Sequence, residues 1–411
     1  MKRVAFILPH STYRTGDFLA AAEKLGVEPV IVTDRTLAIA PTLKERHLRV
    51  DLRRPETAAR RIVEHARRFP LDGIVAADDQ GVVAAAAAAG ALGLPANDPG
   101  AARLTRDKLA LRRALTEAGL PQPAYAALHP GDDAGETGRR VGFPVVVKPL
   151  GLAASRGVIR ADDEEEARRA ATRVRAIAEE AGGDGRAPLV VERFLPGPEV
   201  ALEGLLRRGA LDVLALFDKP DPLNGPYFEE TLYVTPSRLP EDLQDEIAGA
   251  VTRACDAAGL TEGPVHAELR LTPAAAKARP TPVIVEVAAR TIGGLCGRML
   301  RFGLDMSLEE LVIRHAAGLP LRTTTRQSAA AGVMMLPVPA AGVFEGVQGR
   351  KEALSVAGIE DLVMTTALGS QVRPLPESDR YLGFLFARAR APEEVEAALR
   401  KAHERLRIII G

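Results

Sequence analysis

Tryptophan is absent from this 411-residue sequence, cysteine occurs twice, and neither sign of charge is in excess. The 54 basic residues are balanced by 54 acidic ones, so the chain lacks the surplus of cations that a sequence-independent nucleic-acid binder needs. Cys255 and Cys296 are too few for a disulfide scaffold and lack the spacing of metal ligands, which indicates a reducing compartment. We therefore expect a cytoplasmic protein with no nucleic-acid partner.

Long apolar runs are missing as well. No stretch approaches the roughly 20 apolar residues that cross a bilayer. The apolar run near the N terminus covers only Val4 to Pro9, and no small-residue cleavage site follows it, so it is typical of a first β-strand and not of a signal peptide. We expect no membrane partner, and at roughly 100–200 residues per domain the length predicts two to four domains.

Lysine is scarce, with nine lysines against 45 arginines. Because arginine serves most surface positions, a lysine in an apolar or glycine-rich setting indicates a need for a compact, flexible point charge. Lys108 and Lys148 lie in such settings.

Short apolar runs alternate with helical patterns over residues 1–100, which predicts a parallel α/β domain. No GxGxxG follows the first strand, which disfavours a dinucleotide site. The expected strands are Val4–Leu8, Pro29–Val32 and Gly73–Ala77, and the expected helices are Gly16–Leu25, Pro55–Arg68 and Val82–Leu92.

The rest of the chain has a less regular pattern, and no internal repeat is present. We expect a second domain over 101–320 and a C-terminal antiparallel cap over 321–411. The expected elements are a helix over Thr105–Ala118, a polar loop over His129–Arg140, strands at 144–148, 189–192 and 199–206, a helix from Asp162, an irregular segment over Phe217–Pro240, a helix ending near Gly259, a helix over Pro392–Arg407 and a final strand over Ile408–Ile410.

Two carboxylates are predicted to face each other across a hairpin. The strands Val265–Leu271 and Val283–Val287 are joined by a turn that contains Lys277, and Glu268 and Glu286 lie at similar distances from its centre. Antiparallel pairing therefore places both acids on one face, where like charges repel unless a cation bridges them. A pair of acidic oxygen ligands suits Mg²⁺, and the alternative is two solvated acids with arginine partners.

Two further segments are candidates for binding phosphate and a nucleotide. Lys148 ends an apolar strand and precedes a small-residue loop that includes Ser155, which is a possible phosphate clamp or an ordinary surface hairpin. Lys108 opens a helix, and Glu192 and Glu199 flank a Pro/Gly turn.

In this order and spacing, Lys108, Lys148, Glu192, Glu199, Glu268 and the motif Glu286-Val-Ala-Ala-Arg-Thr-Ile-Gly-Gly294 resemble the ATP-grasp superfamily. Within it, the segments around Glu268 and Glu286 are most similar to the L-amino-acid ligase branch of dipeptide and carnosine-type synthases. The resemblance implies an α/β fold with an N-terminal parallel domain, an ATP-grasp domain of two subdomains and a C-terminal cap.

The resemblance also implies a nucleotide site. Lys108 and Lys148 neutralise phosphates of ATP while the loop 153–158 closes over them. Glu192 begins the hinge that faces adenine. The other implied nucleotide contacts are Phe194 and Leu195 beside the ring and Glu199 on the ribose.

The implied metal ligands are Glu268 and Glu286, which hold Mg²⁺, with Mn²⁺ able to substitute. Many family members carry Asn two residues after the second acid, where this chain has Ala288, so this position supplies no side-chain ligand for a second ion. Arg290 is the implied partner of the acyl phosphate or tetrahedral intermediate. His266 is a candidate base or positioning group, with a structural histidine as the alternative.

The segment from Phe217 to Glu230 is predicted to select substrate, because a long Pro/Gly-rich loop beside a site is often functional. Glu229 and Glu230 offer partners for an ammonium group, and Lys219 lies in the same segment. Arg290 offers a partner for a carboxylate, with Gly293 and Gly294 on the same side. An amino acid suits such a pair of charges.

The sequence thus predicts an ATP-dependent ligase that joins a small carboxylic acid and an amine through an acyl phosphate and releases ADP and phosphate. A homodimer is compatible with it. The alternatives are a carboxylase or purine-pathway ligase of the same fold, a non-catalytic nucleotide-binding protein, and a plain α/β scaffold that leaves the ordered motifs unexplained.

Overall fold

A computed structural model describes residues 1–37, 40–273 and 279–411 of the chain. Lys277, and with it the turn expected between the two carboxylate strands, lies outside the described residues. No helix within the described ranges combines the length and the apolar character needed to cross a membrane.

The N-terminal unit is a four-stranded parallel sheet of order β3-β2-β1-β4. Its elements are β1 (Arg3–Ile7), α1 (Thr15–Lys24), β2 (Glu28–Thr33), α2 (Ala40–Leu43), β3 (His47–Arg49), α3 (Pro55–Ala66), β4 (Gly73–Ala76) and α4 (Val82–Ala91). Alternate residues of β1 pack on opposite faces, Val4 and Phe6 in one apolar core and Ala5 and Ile7 in another, as a strand covered on both sides requires. The predicted parallel α/β domain is confirmed.

The second unit is a small antiparallel sheet of order β5-β8-β6-β7 with helices against it. Its elements are α5 (Pro99–Leu104), α6 (Lys108–Glu117), β5 (Tyr125–Leu128), α7 (Ala134–Val141), β6 (Val145–Pro149), β7 (Ile159–Ala161), α8 (Glu164–Glu180) and β8 (Leu189–Arg193).

Two expectations for this unit are corrected. The stretch expected as a polar loop contains the helix α7, because Asp133 caps it by accepting from the backbone N–H of Glu136 at 2.8 Å and Val141 is buried. The helix expected from Thr105 begins at Lys108, because the Asp107 carboxylate accepts from the first free N–H groups of α6.

The third unit contains most of the central sheet. Its elements are β9 (Glu199–Arg207), β10 (Ala210–Lys219), β11 (Leu232–Thr235), α9 (Glu241–Ala258), β12 (Gly263–Thr272), β13 (Thr281–Ala288), β14 (Arg301–Phe302), β15 (Met306–Ser307) and α10 (Leu308–Ala316). The expectation of an irregular segment over Phe217–Pro240 is therefore wrong in part, since β10 runs to Lys219 and β11 lies inside that range. Both strands pair within the sheet and bury apolar residues such as Phe217 and Val234.

The C-terminal strands continue the central sheet instead of forming a separate one. The elements are β16 (Ala330–Leu336), β17 (Gly342–Gln348), α11 (Arg350–Leu354), β18 (Ile359–Met364), β19 (Gln371–Val372), β20 (Gly383–Ala389), α12 (Pro392–His403) and β21 (Arg407–Ile410). The sheet order is β13-β12-β9-β10-β11-β16-β20-β18, while β19, β17 and β21 form a small sheet beside it. The last helix ends at His403, before the residue expected, because β21 begins at Arg407 and pairs with β17.

Candidate active site

The hairpin of β12 and β13 places the two predicted carboxylates as a cross-strand pair. Glu268 lies directly opposite Glu286 in the register, and a bulge follows between Glu268 and Leu269. His266 precedes Glu268 by one alternation of the strand, and its Nε2 lies 3.5 Å from Glu268 Oε1. The predicted antiparallel register is confirmed. Ala288, at the end of β13, is buried and offers no side-chain oxygen.

Two further carboxylates converge on Glu268 of this pair. Glu199, Glu230 and Glu268 each present an oxygen within 4.8 Å of the others. The ammonium group of Lys219, at the end of β10, lies among them, at 2.6 Å from Glu199, 2.5 Å from Glu230 and 3.2 Å from Glu268. The structure thus brings Lys219 and Glu230 of the predicted substrate segment into direct contact with Glu199 and Glu268. Lys219 contacts Glu199 because the register of β9 and β10 places these two residues opposite each other.

The charges in this carboxylate trio depend on one another. Burial raises the pKa of Glu230 to about 7. Burial acts in the same direction on Glu268, but Lys219 and His266 outweigh it and hold the pKa of Glu268 well below its usual range. The site therefore holds Glu268 as an anion and Glu230 as the more easily protonated member. Glu229, by contrast, is half-buried outside the trio, and burial raises its pKa.

Lys148 lies at the end of β6 and is almost fully buried. Its Nζ is 2.6 Å from Glu192 Oε2, and the same carboxylate receives two hydrogen bonds from Arg112, at 2.8 and 3.2 Å. Burial by itself raises the pKa of Glu192, but Arg112 and Lys148 outweigh it and lower that pKa to about 2. Glu192 is therefore an anion between two cations.

Arg112 is a residue that the sequence interpretation missed. It lies on α6 one helical turn after Lys108, so both side chains point to the same side of the helix. Arg112 also donates to the backbone carbonyls of Ile284 and Val285, at 3.1 and 2.7 Å, and so ties Glu192 to the strand that carries Glu286. That helical spacing from Lys108 was the available signal.

Lys108 and the small-residue loop meet at the opening of α6. Lys108 Nζ donates to the carbonyl of Leu152 at 2.8 Å and lies 3.8 Å from Glu286 Oε2. In the loop, the non-glycine residues Ala154 and Ser155 both have φ of 55°, a conformation that costs L-residues about 1 kcal/mol or more. Functional sites often hold such conformations, because the backbone there is shaped for a ligand.

The hinge between β8 and β9 carries the residues expected beside adenine. The ring of Phe194 stacks on Phe228 with centroids 6.2 Å apart, and the guanidinium of Arg160 lies 4.4 Å from its centroid. Arg270 donates to the carbonyl of Leu195 at 3.3 Å and to Glu199 Oε2 at 2.9 Å. The hinge thus presents the aromatic ring of Phe194 next to Leu195, and their contact with adenine stays a prediction.

His266 has a second carboxylate partner that the sequence interpretation also missed. Its Nδ1 lies 3.2 Å from Glu203 Oε2, and that oxygen accepts from the backbone N–H of Ile292 at 2.9 Å. Burial lowers the pKa of His266, but Glu203 and Glu268 outweigh it and raise the pKa to about 9. The histidine is therefore a cation between two acids. Glu203 shares a face of β9 with Glu199, which was the signal for it.

Arg290 is buried just after β13, and its guanidinium Nε lies 3.0 Å from Asp79 Oδ2 of the N-terminal unit. Asp79 went unnoticed in the sequence. Gly294, with φ of 60°, turns the chain where a Cβ would lie 2.8 Å from the ring of Phe384. Gly293 borders open space, since a Cβ at this position would meet no atom within 4 Å. The loop 290–294 is thus packed at Arg290 and at Gly294 and open at Gly293.

Three family models match the chain. An ATP-grasp N-terminal domain matches residues 19–96, an ATP-grasp domain matches residues 141–299, and an L-amino acid ligase C-terminal domain 2 matches residues 334–411. Together they cover most of the N-terminal unit, the carboxylate trio with both predicted metal ligands, and most of the C-terminal strands.

Among curated proteins, alanine–anticapsin ligase of Bacillus subtilis (strain 168) is 29% identical over 286 residues, which are 64% of this chain and 59% of that protein. Carnosine synthase 1 of Gallus gallus is 31% identical over 77% of this chain and 36% of its own length. The chain therefore matches less than two thirds of the length of these two relatives.

Among solved structures, L-amino acid ligase from Bacillus licheniformis superposes with a TM-score of 0.80 and 27% identity, covering 100% of this chain and 99% of that one. Three observations lead to the same family: the order of the matched domains, the similarity over the full chain and the register of the carboxylate hairpin. This chain belongs to the ATP-grasp superfamily, and its fold is that of an L-amino acid ligase.

Proposed function

We propose that this protein is an ATP-dependent carboxylate–amine ligase that joins two amino acids and forms ADP and phosphate. The observation that carries the proposal is the trio of Glu199, Glu230 and Glu268 around Lys219, beside the buried Lys148 and the strained loop at Ser155. The names of three similar proteins, alanine–anticapsin ligase, carnosine synthase 1 and L-amino acid ligase, support it.

The first step is the attack of a carboxylate oxygen on the γ-phosphorus of ATP, with rupture of the bond to the bridging oxygen and departure of ADP. Catalysis of phosphoryl transfer consists mostly of positioning and charge neutralisation. Lys108, Lys148 and the loop with Ser155 are proposed to neutralise the phosphates. Glu192, Phe194 and Leu195 line the adenine edge, and Glu199 keeps free lone pairs for ribose hydroxyls.

The carboxylate oxygens fit a magnesium site. Mg²⁺ prefers carboxylates and the oxygens of a substrate phosphate, and the trio already surrounds one cation, Lys219. Glu268 and Glu286 are the proposed ligands, and Mn²⁺ has the same ligand preference. When bound, the metal ion supplies positive charge against the transferring phosphate.

The second step is the attack of the acceptor amine on the acyl carbon. The bond from that carbon to the phosphate oxygen breaks, phosphate leaves, and the proton lost by the amine nitrogen passes to the departing phosphate. Arg290 is proposed to stabilise the negative charge of the tetrahedral intermediate, and Gly293 to give close backbone access. Glu203 and Glu268 hold His266 as a cation, so we assign it a positioning role, with that of a base disfavoured.

A pooled assay tests the proposed function. Purified protein with ATP, Mg²⁺ and mixed amino acids is expected to form ADP, phosphate and a product whose mass equals two amino acids minus water. Formation of AMP and pyrophosphate would contradict the acyl-phosphate route. ADP release triggered by bicarbonate and not by amino acids would assign the carboxylase function, and tight ATP binding without turnover would assign a non-catalytic one.

Lys219 and Glu230 are expected to select the first amino acid. Replacing both with alanine removes the cation and the acid that meet at 2.5 Å, so we expect the KM for the preferred amino acid to rise at least about tenfold, since a hydrogen bond to a charged group contributes roughly 1.5–3 kcal/mol. Kinetics with each amino acid and a product profile by mass spectrometry measure this. An unchanged profile with unchanged affinities would remove the segment from substrate selection, and Glu229→Ala, outside the trio, is the matched comparison.

A further inference from the structure

We propose that Asp79 is a positioning residue that couples the nucleotide loop to the loop of Arg290, so that ATP binding orders the site of acyl transfer. This inference rests on the proposed function, which assigns the loop with Ser155 to the nucleotide and Arg290 to the acyl group. The nucleotide loop is taken as the whole connection between β6 and β7, residues 150–158. It adds a contribution of the N-terminal unit to the reaction.

Asp79 stands where the N-terminal sheet meets the rest of the molecule. It follows the carboxyl end of β4 in a short 3₁₀ turn, Asp79–Gly81. That turn is packed tightly on β1, since a Cβ at Gly81 would lie 2.8 Å from Ile7 Cγ2. Loops at the carboxyl ends of parallel strands are the usual ligand-facing edge of such sheets. The backbone that carries Asp79 is therefore fixed by the core.

Each oxygen of the Asp79 carboxylate holds one arginine from a different segment. Oδ2 lies 3.0 Å from Arg290 Nε, and Oδ1 lies 3.0 Å from Arg106 Nη1. All three side chains are buried or mostly buried. Burial raises the pKa of Asp79, but Arg290 and Arg106 outweigh it and lower that pKa to about 2, so the carboxylate stays charged at neutral pH.

Arg106 extends the connection to the nucleotide loop. Its Nη2 donates to the carbonyl of Gly151 at 2.7 Å. Lys108 makes a second contact with the same loop, because it donates to the carbonyl of Leu152, and it also lies 3.8 Å from Glu286. A path of direct contacts thus runs from Gly151 through Arg106 and Asp79 to Arg290. It joins segments that the sequence separates widely.

A second buried contact fixes the residue that follows Arg290. Arg14, from the loop after β1, donates to the hydroxyl of Thr291 and pairs with Glu309 at 2.9 Å. The N-terminal sheet therefore holds residues 290 and 291 from two of its strand ends. Arg14 anchors the loop without touching the nucleotide loop, whereas Asp79 is connected to both loops.

Hydrogen exchange with and without the non-hydrolysable analogue AMP-PCP and Mg²⁺ tests the coupling, with kinetics beside it. In the unchanged protein the analogue is expected to protect amides at both 150–158 and 290–294. In Asp79→Asn, which keeps the side-chain size and loses the charge, protection is expected at 150–158 alone. The kcat is expected to fall about 10- to 100-fold, a size typical of lost supporting contacts, with the KM for ATP changed less than about threefold.

Arg106→Met is the second variant, which leaves the Asp79–Arg290 pair in place and is also expected to lose protection at 290–294. Asp72→Asn is the matched control, because Asp72 forms an ion pair with Lys2 at 2.8 Å in the same unit, away from both loops. Protection of both loops in Asp79→Asn, or of neither loop in the unchanged protein, would overturn the inference. If amino acids release no ADP while the coupled protection depends on Asp79, the proposed function fails, and of the inference only the coupling between the two loops stands.

Discussion

Glu286→Gln is expected to lower kcat at least about 100-fold while the protein remains folded. The register places Glu286 opposite Glu268, and glutamine keeps the size of the side chain but removes the charge that a magnesium ligand must supply. Loss of one group that stabilises transition-state charge typically costs a factor of about 100–1,000.

The fold is expected to tolerate this change for two reasons. A quarter of the Glu286 side chain is exposed, and its contact with Lys108, at 3.8 Å, is longer than a hydrogen bond. Removing one of two opposed acids also relieves repulsion across the strands. Lys108 keeps its hydrogen bond to Leu152.

ADP formation at saturating substrate, thermal unfolding, and Mn²⁺ binding followed by electron paramagnetic resonance measure these effects. The kinetic loss is expected together with weaker Mn²⁺ binding in the presence of AMP-PCP. Glu360→Gln is the control, because that glutamate also pairs with a basic residue, Arg388 at 2.9 Å, but on the surface of the C-terminal strands. ATP consumption close to that of the unchanged protein would show that Glu286 is not a metal ligand.

Lys148→Ala is expected to raise the KM for ATP at least about tenfold, and far more than Lys351→Ala, since Lys351 is exposed on α11. A buried ammonium acts on a phosphate through a low dielectric, where one charge contributes much more than at the surface. Burial lowers the pKa of Lys148, and Glu192 opposes that effect.

Removing one partner of a buried ion pair usually destabilises a protein by about 3–5 kcal/mol, because the other charge is left alone. Here Arg112 keeps both of its hydrogen bonds to Glu192, so the expected loss is smaller. Lys148→Met keeps an apolar side chain of similar length, so comparing it with Lys148→Ala distinguishes the effect of the lost charge from that of the lost packing. Titration with AMP-PCP gives the affinities, circular dichroism reports the fold, and equal affinity losses in Lys148→Ala and Lys351→Ala would contradict the phosphate clamp.

The N-terminal sheet, the hairpin register and the order of the motifs followed from local patterns. Alternation in β12 and β13 places Glu268 and Glu286 on one face, and the period of a strand carries that information within a few residues. The expectations that were wrong concerned segments whose composition is typical of loops but whose structure is a helix or a strand. The polar stretch with α7 is helical because its few apolar residues are buried, and β11 lies in a Pro/Gly-rich segment because a neighbouring strand pairs with it.

The sequence by itself thus determined the family, the sheet types and most of the charged residues of the site. Only the tertiary structure decided which charges meet: Lys219 with the carboxylate trio, Arg112 with Glu192, Glu203 with His266, and Asp79 with Arg290. These partners come from different elements, and their contact depends on how sheets and helices pack rather than on any local period. A buried charge needs a partner of opposite charge, but the sequence does not say which residue that partner is. Many arginines and acids in this chain could serve, and only the packing of the core fixes which of them lie in contact.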